Sequence, residues 1–331
     1  MKVVGFGDFL IHFSPTDKMR FYQADEMRLS FTGAEANVCA ALGFWGIDTE
    51  FVTKIPEHAL AVKGVSFLKS NSVVTKNIAY GNGRMGVYFL EIGHDLRPSQ
   101  VIYDREGTVF VRSDYEDYNW DNILCNADVF YLSGITPSLS ENLLNCCKRV
   151  LAKCREQGIV TVYDVNLRPA ICNTERSREI FAELSPYIDC LISNEEHLKL
   201  LLDLKPEAEG EKRFAELFEV TRTKTGIEKI AITVRRTPSA SKAVISAAYF
   251  NGNEIAISRA REIDVVDRVG SGDAFSAGLV YSMINNFTAK EAVEFATASS
   301  ALKHTIHNDI NFSTVREIKA LVDSSSCDVR R

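Results

Sequence analysis

Short apolar runs of strand length alternate with helical stretches along most of this chain, and that alternation restricts the fold more than any other feature of the sequence. Lys2 to Gly7, Asp48 to Lys54, Val129 to Ser133, Ile159 to Val165 and Lys229 to Val234 read as strands. Glu35 to Phe44, Ser138 to Gln157, Asn194 to Leu202, Gly272 to Asn285 and Lys290 to Thr305 read as helices. Gly46 and Gly158 close the first two. Strand, helix, strand with short connections predicts an α/β fold, a mostly parallel central sheet flanked by helices on both faces. Two stretches break the rhythm. Residues 9–32 are polar and strand-like, and residues 85–112 alternate and turn without a helical period. They are expected to form a small antiparallel β lid, discontinuous in sequence, within a single domain spanning 1–331.

A chain of 331 residues buries about three quarters of the surface its unfolded form exposes, so no disulfide or metal is needed to hold it. Its net charge of −6 gives no reason to expect nucleic acid or a membrane as partner, and any anion site must be locally basic. No apolar run reaches the roughly 18 residues of a membrane span, and no charged leader precedes the first strand, so a cytoplasmic location is expected. The eight cysteines show neither a C-x-x-C pair nor metal-ligand spacing and read as reduced thiols. The serine-rich tail at Ser324–Ser326 is expected to fray.

The sharpest local signal is Asp264-Val-Val-Asp-Arg-Val-Gly-Ser-Gly-Asp-Ala-Phe-Ser-Ala-Gly-Leu, an extended segment that enters a helix through Gly270-Ser271-Gly272-Asp273. Glycines at a helix start let several backbone N–H groups point at one anion, and the helix dipole adds to the attraction. A carboxylate at Asp273 could take a proton from a hydroxyl while those N–H groups hold a phosphate. That arrangement suits phosphoryl transfer, in which positioning and charge stabilisation do most of the catalysis. The plain alternative is that Asp273 only caps the helix. The segment is not a P-loop, because no Lys-Ser/Thr follows its glycines. Gly5-Phe-Gly7 is not a dinucleotide fingerprint either, since Leu10 stands where the third glycine belongs; these two glycines read as turn residues.

Asp267-Arg-Val-Gly-Ser-Gly-Asp273 resembles the second signature of the PfkB carbohydrate kinases, usually Asp-Thr-x-Gly-Ala-Gly-Asp. Phe31-Thr-Gly-Ala-Glu-Ala-Asn-Val38 resembles the first, a glycine pair followed by Asn. The likeness covers nearly the whole chain and narrows to 2-keto-3-deoxygluconate kinases. Gly33-Ala-Glu-Ala-Asn37, Gly86-Val-Tyr88-Phe-Leu-Glu, Arg97-Pro-Ser-Gln-Val-Ile-Tyr103-Asp-Arg105, Asp164-Val-Asn-Leu-Arg168-Pro and Ala301-Leu-Lys-His-Thr-Ile are similar to that subgroup's segments. The resemblance implies a ribokinase-like fold and a kinase using ATP and Mg²⁺ to phosphorylate a small sugar acid at its terminal O6 hydroxyl. It implies Asp273 as base and Gly270, Ser271 and Gly272 as anion hole. Gly33, Asn37, Tyr88, Tyr103, Arg105, Arg168 and Asp309 would surround the sugar acid. Asn194, Glu196 and Thr233, with Gly270 and Gly272, would face the nucleotide. Lids of this kind often pair between subunits, so a homo-oligomer built from dimers is expected. Arginine grips a carboxylate through two parallel hydrogen bonds, and Arg168 follows a strand at the carboxyl edge of the sheet, where open α/β sheets bind ligands.

The chain departs from the family pattern at several points. His197 ends the stretch Asn194-Glu-Glu-His197, where the family carries Asn-x-x-Glu, and Glu196 could substitute. Arg268 replaces a small residue and could displace the monovalent cation that relatives often hold in that neighbourhood. Thr32 replaces the first glycine of the first signature, Ala61-Val62 a common Gly-Asp, and Asn308 a common glycine. Two other readings stay open: a fructokinase- or ribokinase-type neutral-sugar kinase, and a catalytically silent regulator that binds a sugar or nucleotide. Tyr103, Arg105 and Arg168 favour the acid.

Overall fold

Strands buried on both faces need apolar residues at consecutive positions rather than at alternate ones, and the runs KVVGF and VFYLS meet that requirement. In a computed structural model, which describes residues 1–323, the chain begins with β1 (Lys2–Phe6), β2 (Leu10–Pro15), β3 (Met27–Thr32), α1 (Ala34–Phe44), β4 (Asp48–Val52), β5 (Lys54–Pro56), α2 (Ala59–Ser70), β6 (Val73–Val74) and β7 (Ala79–Gly81). It continues through β8 (Gly86–Glu91), β9 (Gln100–Asp104), α3 (Trp120–Leu124), β10 (Val129–Ser133), α4 (Ile135–Ser138), α5 (Glu141–Glu156), β11 (Val160–Asp164), α6 (Thr174–Leu184), β12 (Cys190–Asn194), α7 (Glu195–Leu202) and α8 (Lys212–Thr225). The last elements are β13 (Lys229–Ser239), β14 (Lys242–Phe250), β15 (Ile255–Ile257), β16 (Arg261–Asp264), α9 (Ser271–Ile284), α10 (Ala289–Lys303) and α11 (Val315–Asp323). The serine tail lies outside the described residues.

The central sheet runs β6-β4-β1-β10-β11-β12-β13, every pair parallel, and then continues antiparallel through β14, which also carries β15 and β16. Successive side chains on a strand point to opposite faces. Val3, Val129 and Tyr131 therefore pack with α1, α9 and α10, while Val4, Phe6, Phe130 and Leu132 pack with α5, α6 and α8. Strand order reverses at β1, with β4 on one side and β10 on the other. That reversal opens a crevice at the carboxyl ends of the strands.

A second sheet, β3-β2-β8-β9, falls within the two stretches that broke the rhythm. Each of β2–β3 and β8–β9 is an antiparallel pair, and the two first strands lie side by side, so β2 and β8 are parallel to each other (Leu10 opposite Gly86, Phe13 opposite Phe89). Among the described residues no helix is long and apolar enough to cross a membrane.

Three boundaries differ from expectation for identifiable reasons. The helix expected over 138–157 begins only at Glu141, because Ser140 is extended (φ −164°) and its Oγ accepts from Leu143 N at 3.2 Å to cap α5, while Ser138 ends the short α4. The strand expected over 48–54 divides at Thr53, and Lys54 pairs with Ala79 in a separate two-stranded sheet. β13 runs on past Val234 because the antiparallel β14 offers it partners as far as Lys242. The structure also adds α2, α3, α4, α6, α8, α11, β6, β7, β12 and β14–β16.

Gly5 and Gly7 are not turn residues; they allow α1 to lie against β1. A Cβ on Gly5 would stand 2.6 Å from Cys39 Sγ, and one on Gly7 would stand 2.0 Å from Glu35 Oε2. Glu35 is buried and accepts from Ser133 N at 2.9 Å and Thr136 Oγ1 at 2.8 Å. Gly7→Ala is expected to push Glu35 off both donors and to lower stability by about 1–3 kcal/mol, read from the urea unfolding midpoint. An unchanged midpoint would mean that α1 shifts freely against β1.

Candidate active site

The crevice is a cleft of about 810 Å³ between the carboxyl ends of the sheet and the inner side of the lid. All of the residues expected from the sequence line it: Gly33, Asn37, Tyr88, Tyr103, Arg105, Arg168 and Asp309, then Asn194, Glu196 and Thr233, and finally Gly270, Ser271, Gly272 and Asp273. Asp8, Glu35, His197, Arg235, Arg268, Ser300 and His304 line it too. Of these, Asp8 and Arg235 carry charge at the ends of β1 and within β13 and have no place in the expected set. A carboxylate directly after the first buried strand was the available signal for Asp8.

The start of α9 is fixed by close packing. Gly270 has φ +72°, and a Cβ there would stand 1.8 Å from the carbonyl oxygen of Asp309, so only glycine fits. At Gly272 no protein atom lies within 4 Å of the added Cβ, which leaves the first turn of the helix open to the cleft. The cap position is Gly270, without a side-chain cap bond. Asp273 is the third residue of α9, so the capping alternative does not describe it. Its Oδ2 accepts from Asn37 Nδ2 at 2.7 Å, and Asn37 is itself bonded to Thr32 Oγ1 at 3.1 Å. Thr32, where the signature has glycine, thus holds the residue that holds Asp273. Burial pushes the Asp273 carboxyl up to about 7; the Asn37 bond restrains the rise, Asp164 and Asp309 add to it, and Arg168 opposes it.

On the lid side, the Tyr88 and Tyr103 rings stack at 5.2 Å, and the Arg105 guanidinium lies 4.2 Å from the centre of the Tyr103 ring. Arg105 Nη1 also stands 3.7 Å from Asp8 Oδ2. Burial pushes Asp8 up to about 6, against the pull of Arg105. Gly33 is the point of approach, since a Cβ there would be 2.1 Å from the carbonyl oxygen of Asp8. His12 on β2 meets Asp309 Oδ2 through Nδ1 at 2.7 Å and packs on Tyr88 at 4.6 Å between rings. Asp309 is thereby tied from the body of the protein to the lid.

One wall of the cleft is basic although the chain as a whole is acidic. Arg168, Arg235 and Arg268 gather there, and Arg235 is depressed by burial first and then by its two arginine neighbours. His197 is pulled down to about 4 by burial, Arg168 and Arg235, so it is neutral at physiological pH. Arg268 donates to the carbonyls of Ala240 at 2.8 Å and Ser239 at 3.4 Å, in the turn between β13 and β14. Asn194 Oδ1 accepts from His197 N at 2.7 Å and caps α7. Glu195 is engaged with Lys199 at 2.5 Å and Arg213 at 3.1 Å, which leaves Glu196 as the exposed carboxylate of that turn. Asn308, where relatives carry glycine, has φ +65°, a conformation that asparagine tolerates. Among the described residues no three His, Cys, Asp or Glu side chains cluster as a closed metal cage. Glu196 is an open carboxylate in the same cleft as the glycine-rich helix start, which fits Mg²⁺, an ion that keeps its waters and takes most other ligands from phosphates.

The model of the pfkB family carbohydrate kinases matches residues 1–315. The structure of a 2-dehydro-3-deoxygluconokinase from Thermotoga maritima superposes with a TM-score of 0.96 at 36% identity, covering 98% of each chain. A Haloferax volcanii protein named 2-dehydro-3-deoxygalactonokinase is 27% identical over 337 residues, 100% of this chain and 99% of that one. A ribokinase II candidate from E. coli, solved with ATP and Mg²⁺, shares the fold at a TM-score of 0.80 and 18% identity, across 97% of this chain and 99% of that one. The mostly parallel sheet flanked by helices, with a small lid sheet, is ribokinase-like. Both signatures meet at the Asn37–Asp273 contact, and the chain belongs to the pfkB family of carbohydrate kinases.

Proposed function

We propose that this kinase transfers the γ-phosphoryl group of ATP to the O6 hydroxyl of 2-keto-3-deoxygluconate, giving the 6-phosphate, with Asp273 as base. The observation that carries this is the setting of Asp273, a carboxylate held by Asn37 in the first turn of a helix whose N–H groups face an open cleft. The ionised carboxylate accepts the hydroxyl proton as O6 bonds to the γ-phosphorus and the bond to the β,γ-bridging oxygen breaks, releasing ADP. The N–H groups of Gly270 to Gly272 take up charge on the transferring group. Arg168 and Arg105 suit the substrate's carboxylate, and Tyr88 and Tyr103 its hydroxyls.

Thr233, Ser300 and His304 line the cleft together with Arg235 and Arg268, and these would face the nucleotide. Bound Mg²⁺ supplies charge neutralisation along the phosphates, and Asn194 and Glu196 would hold it. The relatives named for gluconate- and galactonate-derived acids make the galactonate epimer the second candidate substrate. We take the chain as one cytoplasmic kinase domain that assembles through its lid, whose outer strand keeps Val101 and Ile102 exposed.

ADP release with Mg-ATP is expected on 2-keto-3-deoxygluconate or its epimer and not on fructose or ribose, with the phosphate found at O6 by NMR. Asp273→Asn is expected to lower kcat by about 10²–10⁴-fold without unfolding the protein. Turnover of fructose or ribose alone would discard the acid. A protein that ATP stabilises but that turns over none of these would favour the silent binder.

The pH dependence has a definite sign. A base must be ionised, so kcat/KM rises with pH through a midpoint of about 7 and is lost below it. Arg168 lowers that carboxyl, so Arg168→Ala is expected to move the midpoint upward and to raise KM for the acid about 10–100-fold. An unmoved midpoint would separate Arg168 from the base.

A further inference from the structure

We propose that Lys303 is a built-in cation that fixes the anion-binding loop, a positioning residue that makes this kinase independent of free monovalent cations. The proposal rests on Gly270 to Gly272 holding the transferring phosphate.

Lys303 ends α10 and is fully buried, at 0% exposure. Lysine is almost never so buried without partners, because a desolvated ammonium is costly. A lysine that merely closed its own helix would bond the carbonyls of the last turn. The Lys303 ammonium donates elsewhere, to the carbonyls of Ile306 at 2.9 Å and Asp267 at 3.3 Å. One belongs to the loop leaving α10 and the other to the loop entering α9. The same loops are joined by Val266 N and Asp267 N donating to the carbonyl of His304 at 2.9 and 3.1 Å. The Asp267 carboxylate accepts from Asn308 N at 3.0 Å and Val269 N at 3.1 Å. The ammonium therefore sits where two loops meet, just ahead of Gly270.

Its charge has a second effect. Asp267, Asp273 and Asp309 all favour the charged form of Lys303 against the downward push of burial. Three carboxylates brought this close repel one another, and a positive charge inside the loop pair offsets that repulsion. A cation coordinated by main-chain carbonyls next to a carboxylate is an environment that potassium or a small ammonium ion would also accept. The side chain supplies this ion covalently, so none need be recruited.

The test is turnover, melting temperature and ATP affinity with choline, Na⁺ or K⁺ as the sole monovalent cation. The wild type is expected to be the same in all three. Lys303→Ala in choline is expected to melt lower, bind ATP more weakly and lose kcat on the order of 100-fold, with KM for the sugar little changed. Potassium or methylammonium, entering the vacated space, is expected to restore its melting temperature and ATP affinity. Lys303→Met, which keeps the volume without the charge, is expected to stay impaired in every salt.

Strong stimulation of the wild type by K⁺, ATP affinity in Lys303→Met equal to wild type, or a folded Lys303→Ala protein indifferent to all small cations would each overturn the proposal. If Lys303→Ala does not fold, the wild-type salt series and Lys303→Met still decide it. Melting temperature and ATP binding need no turnover, so a wild type that phosphorylates no sugar would sink the proposed reaction while these readouts still judge Lys303.

Discussion

The contact between Gly270 and the main-chain oxygen of Asp309 sets the position of everything else in the cleft. With 1.8 Å available for a Cβ, that place admits only glycine, and the left-handed backbone of Gly270 turns the chain from its loop directly into α9. Where α9 starts determines where its free N–H groups point and where the third residue of the helix carries its carboxylate. The Asn37 bond then joins α9 to α1, and α1 is placed by Gly5 of β1 and Gly7 just beyond it, which allow it to approach. Three glycines that leave room for close approach, with one side-chain hydrogen bond, thus align two helices and the central strand on one point.

Charge is distributed against the average of the chain. A net charge of −6 would repel a nucleotide, yet three arginines converge in the cleft. The carboxylates of the same cleft, Asp8, Asp273 and Asp164, are all raised by burial, and Arg168 opposes the rise at the last two. Burial without full neutralisation is what leaves a carboxylate basic enough to act near neutral pH. Asp164 is also bonded to Ser276 at 2.9 Å, one turn beyond Asp273 on α9, so the strand that presents Arg168 is fastened to the helix that presents Asp273.

The departures from the family pattern form a connected set. Thr32 supports Asn37, and Asn308 takes the left-handed conformation that a glycine would otherwise supply while donating to Asp267. Arg268 secures the β13–β14 turn beside the cleft. His197 brings no negative charge to its position, and the neighbouring Glu196 remains open. Each substitution changes a contact while leaving the Gly-Ser-Gly-Asp geometry in place.

Much of the fold was legible in the sequence because its information is local. Continuous apolar runs specify buried parallel strands, and a glycine-rich entry into a helix specifies free N–H groups, whatever the surroundings. The expected site residues also meet in one cleft, because signatures of this kind are local patterns too. Other features depend on which segments come into contact. Gly5 and Gly7 looked like turn residues because nothing in the sequence reveals that Cys39 and Glu35 press on them. The helix read over Ser138 to Gln157 starts at Glu141 instead, because the capping bond of Ser140 competes with helix continuation only once the chain has folded. Asp8 and Arg235 are ordinary polar residues until the sheet edge and the lid surround them, and Lys303 is a helix-end lysine until two loops close over it. Local pattern alone specified β1, β10, β11, the helices α1, α5, α7, α9 and α10, and the chemistry of the Gly270–Asp273 turn, since these follow from backbone preference and polarity. Tertiary structure alone decided which carboxylates lose their water and which charges face them, because desolvation and proximity arise only when distant segments pack together.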